Sequence, residues 1–313
     1  MTKIRVHNPC NSNTRYYRYY NLFWDKFTDY LKLHFDVEEN RDYEFAHMGR
    51  FPVKLQKGNS DNFLLLECEY IIENLENNEF VIMSVSDELT HATINECKNK
   101  YLKKVLISQF LPKKIQSHIE VDYFHKYSPW QYFQAQVFDL EPFYTKRLTL
   151  DNLSNELYFK GTSLEDRQII YKINDDILNK NFTPYPPHVY FNELINHKIA
   201  LSVDGRGEFC YRDIECFAVG VPIIRFEYES VFYDDLIPNY HYISVPRPED
   251  LKMYRMGDEN HAKMLEQRYY EVINDVEFLN FISKNARQYY EKNCMLDVSI
   301  NNTYNLLNLN TWI

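Results

Sequence analysis

The sequence predicts an α/β protein of two domains, each with a largely parallel sheet and crossover helices. Three observations carry that expectation. The 313 residues suit two ordinary domains. Apolar residues make up 45% and charged residues 26%, the balance of a folded globular chain. Short apolar runs recur along the chain, each followed by polar or helical sequence, which is the alternation of a sheet wound with helices.

Residues 16–35 (YYRYYNLFWDKFTDYLKLHF) place apolar side chains at helical spacing and predict an amphipathic helix. Residues 63–68 (FLLLEC) read as a strand or the start of a helix. Residues 80–85 (FVIMSV) form a short buried strand that ends at Ser86-Asp87-Glu88, and residues 104–110 (KVLISQF) form another. Residues 112–152, rich in aromatics and proline, read as long loops and a linker. That puts the boundary at Asn152, with one domain over 1–152 and a second over 153–313. In the second domain, strands are expected at 157–159, 199–203, 222–226 and 241–245, and helices at 165–179, 212–219 and 261–273. Residues 275–307 read as two or three helices.

The net charge of −10 argues against a nucleic-acid polymer as partner, because phosphate neutralisation drives such binding. It leaves room for a single nucleotide in a locally basic site. The six cysteines form no Cys-X-X-Cys pair, so zinc-ribbon spacing is absent, and their scatter suits free thiols in a reducing compartment. The N-terminus has no apolar signal core, and no apolar run approaches the ~18 residues that span a bilayer. A cytoplasmic protein without a membrane span is the expectation.

Ligands of open parallel sheets bind beyond the C-terminal ends of the strands. The residues there are Asp87, then Lys160-Gly161-Thr162, then Asp204-Gly205-Arg206-Gly207. The last segment is the richest. Gly205 and Gly207 allow the backbone to turn tightly and approach a ligand, the following helix start offers unpaired N–H groups, and Arg212 adds a full charge suited to a diphosphate. The alternative is an ordinary turn. Thr162 caps a helix or, with Arg167 further on, helps hold a nucleotide. Asp87 is a helix cap or a general base. Tyr127 and Trp130 are core residues or a stacking platform for an acceptor sugar. No metal-binding, Walker A or serine-nucleophile motif is present.

Together these segments resemble glycosyltransferase family 90, the group of protein O-glucosyltransferases and fungal capsule xylosyltransferases. Phe159-Lys160-Gly161-Thr162 with Arg167 is similar to the family's Phe-Arg/Lys-Gly-Ser/Thr segment and downstream arginine. Asp204-Gly205, Arg212 and Gly220-Val221-Pro222-Ile223 follow in the family's order. Residues 230–245 (SVFYDDLIPNYHYISV) resemble its Glu-Phe-Phe-Tyr…Leu-x-Pro-x-x-His-Tyr-Ile-Pro-Val run, and Val85-Ser86-Asp87 resembles its strand-end aspartate. The likeness spans roughly residues 80–307. Two departures affect the phosphate loop: the interval from Asp204 to Arg212 is one residue longer than usual, and Phe209-Cys210-Tyr211 stands where the family has a serine before the arginine helix.

The resemblance implies a GT-B fold, two Rossmann-like domains with a cleft between them, and inverting transfer of a sugar, xylose before glucose, from a UDP-sugar to a hydroxyl of a glycan acceptor. It implies Asp87 as catalytic base and Thr162, Arg167, Asp204, Gly205, Gly207 and Arg212 as nucleotide-sugar contacts. Tyr127 and Trp130 fall on the acceptor side. No metal and no cofactor beyond the UDP-sugar substrate is implied. The alternatives are a non-catalytic nucleotide-sugar or glycan-binding protein on the same fold, and a metal-dependent GT-A transferase.

Overall fold

The computed structural model describes residues 1–9, 17–40, 50–57, 63–66, 68–85, 91–108, 110–130, 139–161, 165–183, 186–204, 208–249, 251 and 259–313, with backbone alone at 17–21, 50, 52, 63, 64, 91, 92 and 165–167. They form two compact units. Unit 1 takes in Met1–Val137, Ser230–Asp234 and Leu296–Ile313; unit 2 takes in Phe138–Glu229 and Asp235–Met295.

Unit 1 begins with β1 (Lys3–His7), α1 (Tyr17–Leu31), β2 (Asp36–Asn40), β3 (Arg50–Val53), β4 (Phe63–Leu66), β5 (Glu69–Asn74) and β6 (Phe80–Ser84). It continues with α2 (His91–Asn95), β7 (Leu102–Ile107), α3 (Pro112–Gln116), a 3-10 turn over Val121–Lys126 and β8 (Tyr127–Pro129). Six strands form one sheet in the order β2-β1-β5-β6-β7-β8. β5 is antiparallel to both neighbours, and the other pairs are parallel. β3 and β4 make a separate antiparallel pair. Every residue of β6 is buried, as a run covered on both faces requires.

The apolar stripe of α1 explains how the unit closes. Phe23, Trp24 and Phe27 are fully buried. Trp24 stacks on Tyr70 of β5 at 4.6 Å and on Trp130 at 5.7 Å, and Phe23 meets Trp130 edge-on at 5.6 Å.

Unit 2 contains α4 (Glu141–Arg147), β9 (Ser154–Lys160), a 3-10 segment over Glu165–Tyr171, β10 (Leu178–Asn181), α5 (Pro187–Leu194), β11 (His197–Leu201) and α6 (Tyr211–Ala218). Then come β12 (Ile223–Phe226), β13 (Ile243–Val245), α7 (Glu259–Val272) and α8 (Val276–Asn293). Its five strands run in the order β10-β9-β11-β12-β13, and all four pairings are parallel. Leu157, Phe159, Ile199, Leu201, Ile224 and Ile243 of the sheet pack with Leu265 of α7 and Ile282 of α8. The chain returns to unit 1 with α9 (Leu296–Leu306), whose Tyr304 packs on Tyr30 and His34. Among the described residues no helix is long and apolar enough to cross a membrane.

The α/β class and both sheets match the expectation, with differences in detail. The helix expected over 165–179 is a 3-10 segment followed by β10, because Leu178 is buried in register with Leu157 of β9. Residues 112–152, expected as loops, hold α3, β8 and α4. β2 and β5 carry no alternating pattern that marks them in sequence, whereas β1 alternates Ile4 and Val6 with polar residues and is not among the expected strands.

The division of the chain also differs from the expected boundary at Asn152. α4 belongs to unit 2: Arg147 donates to the carbonyls of Gly220, Ile195 and His197, each at 2.8 Å, and burial pulls its guanidinium down to about 10. α9 belongs to unit 1, where Thr303 accepts the Trp130 indole N–H at 2.9 Å.

Trp130→Ala is expected to destabilise unit 1 by about 3–5 kcal/mol, the cost of emptying a packed aromatic site. Urea unfolding followed by circular dichroism measures it. An unchanged midpoint would show that the indole does not support the core.

Candidate functional site

The order of the unit 2 sheet locates a candidate site. From β9 the chain crosses to one edge for β10, then returns to the other side of β9 for β11. The strand order therefore reverses between β9 and β11, and ligands of open parallel sheets bind outside the C-terminal ends at such a switch point. Lys160 ends β9, and Ser202 to Asp204 follow β11.

Arg212 is the second residue of α6 and reaches this edge. Its Nε and Nη2 donate to the Lys160 carbonyl at 3.1 and 2.5 Å. Its guanidinium carbon lies 4.4 Å from the centre of the Phe159 ring, a cation–π stack. Nη1 is buried and has no hydrogen-bond partner among the described residues. No carboxylate is paired with this side chain among the described residues. It is a fixed positive charge with one donor left over.

The start of α6 is set by a buried charge cluster. Arg225 of β12 is fully buried. Its Nη1 donates to Asp213 and its Nη2 to Asp204, both at 2.8 Å, and its guanidinium carbon sits 3.5 Å from the Tyr228 ring centre. Burial disfavours the charge, yet the pull of Tyr228, Asp213 and Asp204 outweighs it and holds the guanidinium above its ordinary range.

Asp213 accepts at one carboxylate oxygen from the Cys210 N–H at 2.9 Å and from the Tyr228 hydroxyl at 3.2 Å, and at the other from the Ser202 hydroxyl. It thereby ties the first turn of α6 to the end of β11. Arg247, just past β13, donates to Asp204 at 2.8 Å and pairs with Glu208 at 3.1 Å. Burial pushes the Asp204 carboxyl up, against the pull of Arg225 and then Arg247. A guanidinium 2.8 Å from each oxygen is the geometry of a carboxylate.

The expected site residues divide into four groups. Arg212 stands at the switch-point edge. Asp204 stands on the same edge, but both its oxygens are engaged by arginines, so it shapes the site rather than facing a ligand. Asp87, Thr162, Gly205 and Gly207 lie outside the described residues, as does the side chain of Arg167.

Tyr127 and Trp130, expected to meet an acceptor, are interior residues of unit 1. The Tyr127 hydroxyl donates to the Thr93 carbonyl, and Trp130 is fully buried. Core packing, one of the two roles the sequence left open for them, is the one observed.

Sequence reasoning missed Asp213, Arg225 and Arg247. A signal existed for Arg225: a charged residue inside the apolar strand Ile223–Phe226 requires buried carboxylate partners.

No protein-family model matches the chain, and none of the curated proteins matches it. Among solved structures, the chain is similar to a glycosyltransferase from Rickettsia africae (TM-score 0.46, 11% identity, 95% of this chain and 82% of that one). It is also similar to a sucrose-phosphate synthase from Thermosynechococcus elongatus (0.42, 12%, 69% and 63%). A third is WaaG, a glycosyltransferase involved in lipopolysaccharide biosynthesis (0.39, 10%, 67% and 64%). The chain thus spans under two thirds of the second and third of these.

Arg225→Ala leaves Asp204 and Asp213 buried without their shared cation. It is expected to cost about 3–5 kcal/mol in guanidinium unfolding, whereas an exposed arginine would cost under about 1 kcal/mol.

Proposed function

We propose that this chain is a glycosyltransferase of the GT-B kind that takes a sugar from a UDP-sugar. The observation that supports the reading best is Arg212. It is anchored by the Lys160 carbonyl at the switch point of a parallel sheet and, among the described residues, has no carboxylate partner and no partner for Nη1. Arg225 and Arg247 on the same edge are neutralised by Asp204, Glu208 and Asp213. An anion is what Arg212 lacks, and a diphosphate beside the α6 N-terminus supplies one.

In this reading Arg212 stabilises the charge that builds on the departing diphosphate, a contribution of several kcal/mol where water is excluded. Thr162 and Arg167 help hold the nucleotide. Asp87 takes the proton of the acceptor hydroxyl as it attacks the anomeric carbon, in a single displacement that inverts configuration. These roles, and xylose or glucose as the sugar, follow the family-90 resemblance of the sequence. The two sugars differ by one hydroxymethyl group, which a pocket wall rather than a motif discriminates. The acceptor is a glycan hydroxyl.

Arg212→Ala is expected to weaken UDP and pyrophosphate binding by roughly 10- to 100-fold, the worth of a charged hydrogen bond, in titration calorimetry. Unchanged affinity would remove the basis of the assignment. Asp87→Ala is expected to lower turnover by about 10²–10⁴-fold with UDP affinity intact. A wild-type protein that binds UDP yet transfers nothing across a panel of UDP-sugars and glycans would instead be a binding protein. Full activity in excess EDTA is the expected result, and loss of it would point to a metal-dependent transferase.

A further inference from the structure

Two arginines of unit 2 dock on the protein by the same edge of the guanidinium and leave the same nitrogen over. Arg212 does so on the Lys160 carbonyl. Arg247 donates from Nε to the Glu227 carbonyl at 2.7 Å and from Nη2 to Asp204 at 2.8 Å, and the same Nη2 lies 3.1 Å from Glu208. In both side chains Nη1 is buried with no hydrogen-bond partner among the described residues. The Arg247 side chain is 8% exposed and follows β13 directly, so it lies on the C-terminal edge of the same sheet. Buried donors without partners are rare in native proteins. One held in place by several bonds on the proposed donor-site edge calls for an acceptor that the described residues do not provide.

Charge decides which acceptor. Asp204, Glu208 and Asp213 bring three carboxylates to the cluster, against the guanidiniums of Arg225 and Arg247. A phosphate brought to Arg247 would approach two carboxylates that already touch the same guanidinium, and like charges at such range repel strongly where the dielectric is low. An uncharged oxygen meets no such repulsion and still gains a hydrogen bond from a charged donor.

We propose that Arg247 Nη1 donates to an uncharged oxygen, a hydroxyl or carbonyl, of the bound nucleotide sugar. Arg247 is then a specificity-determining residue, and Arg212 holds the charged part. The inference rests on the donor-site reading above. Ribose, uracil and the transferred sugar all present such oxygens, and titration separates them.

The test is Arg247→Lys, which keeps a cation for Asp204 and Glu208 but lacks the second nitrogen. If that variant does not fold, Arg247→Gln carries the same test. Pyrophosphate, UDP and UDP-glucose are titrated against wild type and variant. Pyrophosphate affinity should stay within about twofold. UDP affinity should fall roughly 10- to 100-fold if the oxygen belongs to the nucleoside, or UDP-glucose affinity alone should fall if it belongs to the sugar.

An equal loss for pyrophosphate would overturn the proposal by making Arg247 a phosphate contact. Unchanged binding of UDP and UDP-glucose would overturn it while leaving the donor site in place. A wild-type protein that binds none of the three overturns the donor-site reading itself.

Discussion

Arg225 is the constraint on which the candidate site depends. A guanidinium in the middle of a buried strand is tolerated only with compensating charge, and Asp204 and Asp213 supply it at 2.8 Å each. Those two carboxylates come from the end of β11 and the first turn of α6. Satisfying one buried charge therefore fixes the relation of three consecutive elements. Asp213 also binds the Cys210 N–H, so the helix start is set by the same group that neutralises the strand. Arg212, the next residue to Asp213, inherits its position from that arrangement.

The contrast among the three arginines follows from their partners rather than from their residue type. Arg225 is saturated: two carboxylates, two carbonyls and an aromatic face take up its donors and charge. Arg247 is neutralised by Asp204 and Glu208 but not saturated. Arg212 is neither, since a backbone carbonyl and the Phe159 ring hold it without cancelling its charge. A neutralised donor favours uncharged acceptors and an uncancelled one favours anions. On the reading proposed above, one sheet edge serves both kinds of recognition.

Much of this fold was legible in the sequence where local pattern and burial agree. The apolar runs at β6, β9, β11, β12 and β13 are buried strands, and the periodicity of α1 points Phe23, Trp24 and Phe27 inward. Where the two disagree, the pattern misled. β5 carries Glu69 and Glu73 inside the sheet, where the Leu66 N–H donates to Glu69 and Glu73 is met by the Gln56 N–H, His7 and Arg5. Leu178 becomes a strand residue because a partner strand lies beside it, which the helix-like composition of 165–179 does not reveal. Tyr127 and Trp130 look like a sugar platform in one dimension; in three, Tyr127 belongs to a largely aliphatic core cluster and Trp130 packs on Phe23 and Trp24.

By itself the sequence determined the class of fold, the buried strands and the position of Arg212 at a helix start after a strand, since each follows from residues near one another in the chain. Tertiary structure alone decided which arginines are neutralised and which are not. That depends on carboxylates brought together from Asp204, Glu208 and Asp213, and on a carbonyl at Lys160 that lies 52 residues from Arg212 in the chain. Charge compensation acts through space over a few ångströms, and the order of residues along a chain does not record that distance.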